Sequence, residues 1–396
     1  MNPNNSFEQN TLTQEVQKLD FLFENQITPQ TKCTDQGSSG RCWLFAGLNL
    51  IRTSIIRHLD LPMDFELSQN YLFFWDKYER SKYFLETYPL TQHDDRLREF
   101  FLRRPIVDGG QWNMFVNLVN KYGVVPKSNY NDTINSRNSS RLNNILNNKL
   151  KDAILRNRPT DTVLNEIYTI LVSFLGRPPL TFTWRYESNK QVRVIKDITP
   201  LQLYRMIPFD VNEYISIIND PRNEYSSWYT VDYLNNMVHT PGPEYLNEPM
   251  ETLTEISKSC INNNTPVWFG SDVMPFTSRE LCISGLNYFD YPVCLTKKEQ
   301  LETFDSAMTH AMVLHGYDFN NPVGKWKIEN SWSTKGPYNG YYIADHKWFE
   351  RYVYQITVPK NMVKKIPPKK LKHLAPWDPF GSLARKKIIT KCKCLR

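Results

Sequence analysis

The clearest helical pattern in the chain begins at Cys42. Trp43, Leu44, Phe45, Ala46, Leu48, Leu50, Ile51, Ile55, Ile56 and Leu59 are apolar at helical spacing, with no Gly or Pro from Leu48 to Leu61. This predicts a buried helix with Cys42 in its first turn. A second helix is predicted after Ser68, a residue type that caps helix starts, with Tyr71, Leu72, Phe74, Trp75 and Tyr78 on one face. Shorter amphipathic helices are expected at residues 97–102 and 114–119, the latter stopped by Gly123. Leu19, Phe21, Leu22 and Phe23 predict an N-terminal helix packed on the body. Residues 131–150, rich in Asn, Ser and Arg, read as an exposed loop leading to a polar helix. Residues 152–175 read as one helix, ended by Arg177-Pro-Pro.

The period then changes. Thr181-Phe-Thr-Trp-Arg-Tyr alternates like a strand. Pro266-Val-Trp-Phe-Gly, the run from His310, Lys325-Trp-Lys-Ile-Glu-Asn, Gly340-Tyr-Tyr-Ile and the run from Tyr352 are short, β-branched or aromatic, and bounded by Gly, Pro or Asn. Helices first and an antiparallel sheet later give an α+β architecture. Four regions follow: residues 1–130 with the Cys42 helix, a mostly helical insertion at 131–255, a β-rich part at 256–358, and a basic C-terminal arm at 359–396.

Composition sharpens this picture in two places. The net charge of +7 over 396 residues is concentrated in the arm, where residues 361–396 hold eleven Lys or Arg against one acidic residue. The remainder has 37 basic and 40 acidic residues, a net of −3. No apolar run approaches the ~18 residues of a membrane span, and the polar first ten residues do not read as a secretory signal. Seven cysteines, an odd number in a chain this long, read as reduced thiols in a cytoplasmic compartment.

The candidate chemistry starts at Gln36-Gly-Ser-Ser-Gly-Arg-Cys-Trp. The positive end of a helix favours a thiolate, so a cysteine there is a candidate nucleophile; read alone, Cys42 is equally an ordinary buried thiol. A thiol nucleophile needs a base, an orienter for that base and oxyanion donors. His310 opens one predicted strand and Asn330 ends another, so adjacent antiparallel strands would set imidazole and carboxamide side by side as in a Cys-His-Asn triad. Trp332 would shield that hydrogen bond from water. Gln36 would donate its amide N–H to the oxyanion together with the backbone N–H of Cys42. Gly109 and Gly110, in Asp108-Gly-Gly-Gln-Trp, are either loop punctuation or a place where an extended peptide approaches the backbone. This chemistry calls for no cofactor and no metal.

Gln, then six residues on Cys-Trp, then His-Ala, then Asn-Ser-Trp, in that order, resembles papain-like cysteine peptidases. In secreted members a cysteine usually stands two or three residues before the nucleophile, in a disulfide; here Ser39-Gly40-Arg41 occupies those positions. His310 lies 268 residues beyond Cys42, against roughly 130–150 in the papain pattern, so a large insertion separates them. Both departures point to the bleomycin hydrolase and aminopeptidase C branch. Asp35-Gln-Gly-Ser-Ser-Gly-Arg-Cys-Trp, Phe65-Glu-Leu-Ser-Gln-Asn-Tyr-Leu-Phe-Phe-Trp-Asp-Lys, Asp108-Gly-Gly-Gln-Trp, Met308-Thr-His-Ala-Met, Glu329-Asn-Ser-Trp and Pro376-Trp-Asp-Pro-Phe-Gly-Ser-Leu-Ala carry the resemblance.

The resemblance implies a helical subdomain plus a β-barrel-like one, with Cys42, His310 and Asn330 as triad and Gln36 as oxyanion donor. It implies a substrate-binding turn at Gly109 and Gly110, a homohexamer with inward-facing sites, and peptide substrates. It also implies a C-terminal arm in the cleft whose terminal carboxylate, at the position of Ala384, holds the substrate's amino group. This chain continues past Ala384 for twelve residues, including Cys392 and Cys394. Three outcomes are open: self-trimming back to Ala384, threading past the cleft with endopeptidase-like access, or a self-inhibiting plug. The main reading is a cytoplasmic cysteine aminopeptidase. The alternative is a pseudoenzyme or oligomeric scaffold whose basic arm binds nucleic acid weakly, without membrane contact.

Overall fold

The structure, a computed structural model, describes residues 11–320 and 323–385, so the terminal basic run with Cys392 and Cys394 lies outside the described residues. The chain divides into two compact units, each assembled from separate segments. One, mainly helical, comprises residues 36–211, 231–243 and the chain from 381. The other, built on a sheet, comprises the chain to 35 and residues 212–230 and 244–380.

In the helical unit the expected nucleophile helix is α1, Cys42–Leu59, with 14 of its 18 residues buried. It is therefore a central helix and not a half-exposed one, with Asn49, Arg52 and Thr53 buried along with its apolar positions. Gly47 lets it approach the helix that carries Phe115, since a Cβ there would stand 2.8 Å from the Phe115 ring. The next helix, α2, is Gln69–Thr87, and Ser68 caps it by accepting the Tyr71 N–H at 3.1 Å. The same hydroxyl donates to the Tyr130 carbonyl. Ser68→Ala removes both bonds, and urea unfolding is expected to show a loss of about 1–2 kcal/mol.

Helices α3, Asp95–Arg103, and α4, Trp112–Tyr122, follow, the latter ending at Gly123 with φ 70°. The single helix expected at 152–175 is instead two: α5, Ser140–Leu155, and α6, Thr160–Leu175. Pro159 separates them, because it lacks an N–H and disfavours helical backbone at the preceding residue. The strand expected from Thr181 is β1, Phe182–Ser188, paired with β2, Gln191–Ile198. Asn189 and Lys190 join them with φ of 51° and 59°, the left-handed pair a tight hairpin turn demands. Helix α7, Pro200–Met206, follows the hairpin.

The sheet unit takes β3, Tyr214–Ile218, β4, Ser227–Val231, and β5, Glu244–Asn247, then helix α8, Met250–Asn262, and β6, Val267–Ser271. It continues with β7, His310–Asp318, β8, Lys325–Glu329, β9, Tyr341–Asp345, β10, Val353–Pro359, and β11, Leu371–Leu374. The order across the sheet is β11-β4-β5-β3-β10-β6-β7-β8-β9. Leu246, Phe269, Leu314, Trp326 and Ile356 pack in its core. The late strands fall where the apolar runs place them.

The N-terminal segment corrects an expectation. Residues 14–18 form a short 3-10 helix and the chain beyond is irregular or extended, with Leu22 73% exposed. Phe23 is buried and Phe21 stacks on Tyr338 at 4.6 Å. Alternate apolar positions, not a helical face, fasten this segment to the sheet unit. Among the described residues no helix is long and apolar enough to cross a membrane, and Cys33, Cys42, Cys260, Cys282 and Cys294 are not bridged as disulfides.

Candidate active site

Cys42 is the first residue of α1, preceded by Arg41, which makes no side-chain cap. The turn leading to it is cross-braced. Gly37 has φ 60°, and a Cβ there would meet the Arg137 carbonyl at 2.7 Å, so only glycine fits. Gln36 Nε2 donates to the Ser39 carbonyl at 2.6 Å, and Ser39 Oγ donates to the Gln36 carbonyl at 2.7 Å. Arg41, fully buried, pairs with Asp132 at 2.6 Å, bonds Ser39 Oγ at 2.9 Å and lies over the rings of Phe45 and Phe73. Burial pushes the Asp132 carboxyl upward, but the charge and hydrogen bond of Arg41 outweigh this and hold it below the ordinary range.

Asp108 joins this turn to the glycine pair. It accepts the Gly40 N–H at 3.0 Å, the Lys77 ammonium at 2.6 Å, the Asn143 amide at 2.7 Å and the Ser139 hydroxyl. Its own carbonyl accepts the Trp43 indole N–H at 2.8 Å. Burial alone would raise its pKa, but the Lys77 charge and these hydrogen bonds hold it well below the carboxylate range. Burial lowers the pKa of Lys77 in turn; with four donors aimed at one carboxylate, we take the pair as ionised. Lys77 and Arg80 sit on α2 among aromatic positions, and Arg80 pairs with Asp76 at 2.7 Å and donates to the Gly109 carbonyl.

Gly110 lies flat on Trp43, where a Cβ would come within 2.5 Å of the indole. Gly109 is covered by the C-terminal segment: a Cβ there would overlap the Leu383 carbonyl oxygen at 1.8 Å and approach Ala384 Cα at 3.4 Å. Leu383 and Ala384 are buried. Arg385, the first residue past Ala384, donates to the Tyr233 carbonyl at 3.0 Å and stacks 4.3 Å over the Phe100 ring.

In the sheet unit, β7 pairs antiparallel with β8, which sets His310 near Asn330, the residue after β8. His310 Nε2 and Asn330 Oδ1 are 2.9 Å apart, both residues buried. An amide oxygen only accepts, so Nε2 carries the proton. The Ser331 N–H also donates to Oδ1, at 2.8 Å, which fixes the orientation of the carboxamide. In the neutral ring Nδ1 is then the nitrogen without the proton. Trp332 lies 4.8 Å from the imidazole and so flanks this bond. Where β7 bulges, His315 Nε2 lies 2.9 Å from Glu329 Oε2, at an angle that makes no hydrogen bond.

The expected residues therefore fall into two sets. Gln36, Cys42, Gly109, Gly110 and Ala384 belong to the helical unit; His310, Asn330 and Trp332 belong to the sheet unit. Sequence reasoning passed over Asp108, Lys77, Arg80 and Asp132. The available signal was charge at positions 77 and 80, in register with Phe73 on an otherwise apolar helix face.

A thiol at a helix start and an amide-held imidazole beside a sheltering tryptophan are the parts of an α+β cysteine peptidase, the papain-like arrangement expected. A profile of the Peptidase C1-like family matches residues 1–381, and the chain belongs to that family. It is 36% identical to human bleomycin hydrolase over 93% of this chain and 90% of the relative. It is 39% identical to aminopeptidase C of Listeria innocua, covering 92% and 88% respectively. The solved structure of pepw from Lactobacillus rhamnosis is similar with a TM-score of 0.89 and 34% identity, over 96% of this chain and 92% of that one.

Proposed function

We propose that this cysteine peptidase is an aminopeptidase that removes N-terminal residues from peptides. The observation that carries the reading is the seat of Leu383 and Ala384 on Gly109. A backbone strip open to an extended peptide would accept a long chain on the amino side of the scissile bond. Covered by the arm, it leaves room for little more than one residue there.

In the reaction, the Cys42 thiolate attacks the scissile carbonyl, and the tetrahedral oxyanion takes hydrogen bonds from the Cys42 N–H and the Gln36 amide. Protonated His310 gives its Nδ1 proton to the leaving amine, and a thioacyl-enzyme remains. Neutral His310 then takes a proton from water as it attacks the thioester, and the C–S bond breaks to release the amino acid and return the Cys42 thiolate beside protonated His310. The Nε2 bond to Asn330 keeps the ring in one tautomer through both halves.

Arg385 bears on how the amino end of the substrate is held. Because the chain continues, the Ala384 carbonyl is an amide and carries no charge. Length selection by the intact chain then rests on the bulk of the arm, while a chain ending at Ala384 would add a carboxylate for the substrate's ammonium. Peptide pairs differing only in N-terminal acetylation test this. The intact protein is expected to favour the free-amine peptide by about tenfold or more. Deletion of residues 382–396 should open the strip and bring the two rates together, and truncation after Ala384 should widen the preference. Equal cleavage of both peptides by the intact protein would overturn the aminopeptidase reading. The family resemblance also leads us to propose a homohexamer, which light scattering would reveal as six chains per particle.

A further inference from the structure

Beside His310, the sheet unit holds a cavity of about 390 Å³ that the reaction above does not use. Its walls include Trp332, Tyr342, Arg279 and Lys335, with the exposed Glu280 at its edge. The Arg279 guanidinium lies 4.1 Å over the Trp332 ring, on the indole that also neighbours the His310 imidazole. Beyond a contact with Met274 Sδ at 3.6 Å, the Arg279 guanidinium has no hydrogen bond and no carboxylate partner among the described residues. Lys335 makes no ion pair there either. Stacking on an aromatic face fixes a guanidinium while leaving its N–H edge directed outward, where it suits the two oxygens of a carboxylate.

His310 protonates the departing amine, so the residue bearing that amine passes next to Trp332 as it leaves. We propose that this cavity is the leaving-group subsite and that Arg279, assisted by Lys335, binds a carboxylate on the departing residue. The free C-terminus of a dipeptide lies one residue from the scissile amide and is the carboxylate this spacing suits. The enzyme would then act on short peptides, and on dipeptides above all. This rests on the aminopeptidase reading and adds to it a preference on the other side of the bond.

The test uses the full chain and three substrates: leucyl-alanine, its C-terminal amide, and the C-terminal amide of leucyl-glutamate. A leucyl arylamide, whose leaving group has no carboxylate, sets the scale. For the wild type, kcat/KM for leucyl-alanine is expected to exceed that for its amide by about tenfold, the worth of one charge-assisted bond at a partly exposed site. Arg279→Gln should bring this ratio to near one, and Arg279→Lys should retain part of it. A higher rate on the leucyl-glutamate amide than on leucyl-alanine would mean that the site reads an acidic side chain and would overturn the dipeptide assignment. Equal rates on leucyl-alanine and its amide in the wild type, with the arylamide cleaved, would overturn the subsite itself. No cleavage of the arylamide would instead defeat the aminopeptidase reading.

Discussion

Cys42→Ala is expected to lower kcat/KM on an aminoacyl arylamide by about 10⁴-fold or more, because nucleophile and base act as a unit and the loss of either removes covalent catalysis. The variant should fold normally, since alanine at the head of α1 keeps the helix and loses only a thiol from a buried position. Cys260 provides the control. It is fully buried in the sheet unit, and burial pushes its thiol up to about 12, so it is protonated and inert at neutral pH. Cys260→Ala should leave thiol labelling by a peptidase-directed inhibitor intact, while Cys42→Ala should abolish it. Retention of more than about one-hundredth of the activity in Cys42→Ala would exclude Cys42 as the nucleophile.

The second large effect is on stability. Asp108→Ala would leave the Lys77 ammonium buried without its counter-ion and strip an acceptor from Gly40, Ser139 and Asn143. Breaking one side of such a buried pair costs about 3–5 kcal/mol, which urea unfolding would measure directly. A loss below about 1 kcal/mol would show that the network contributes little. The pH dependence has a definite sign. The folded-state pKa of Asp108 is depressed, so its contribution is fully present above the unfolded value of about 4 and is lost as the pH falls toward the folded value. Stability of the wild type should therefore decline below about pH 4, and Asp108→Asn should flatten that decline.

The legible parts of the chain were those written in apolar periodicity or in motif order. The run after Cys42 could bury itself only as a helix, and the short aromatic runs around His310 and Asn330 were strands before any partner was known. That adjacency made the imidazole–carboxamide bond an expectation. Polar packing was harder to read. Asp108 sits beside two glycines, a context that suggests an exposed turn, and only the fold brings Lys77 and Asn143 to it from two separate helices. The break at Pro159 was missed because the apolar pattern on its two sides stays in phase. Residues 19–23 were misread because four apolar positions in five residues suit an extended segment with alternate anchors as well as a helix turn. Arg279 carries no pattern at all, since its contact with Trp332 depends on the folding of a loop 53 residues away in the chain.

The buried contact between Arg41 and Asp132 sets the conditions under which the turn before Cys42 keeps its shape. A disulfide at this place would yield to thiol reductants and reform under oxidants, coupling the turn to the electron supply of its surroundings. A guanidinium–carboxylate pair exchanges no electrons. The carboxyl is held below the usual carboxylate range by the Arg41 charge, so the brace is indifferent to redox poise and persists to lower pH than an ordinary carboxylate pair would. A thiol reductant added to keep Cys42 reduced would therefore leave this brace on the turn before it intact.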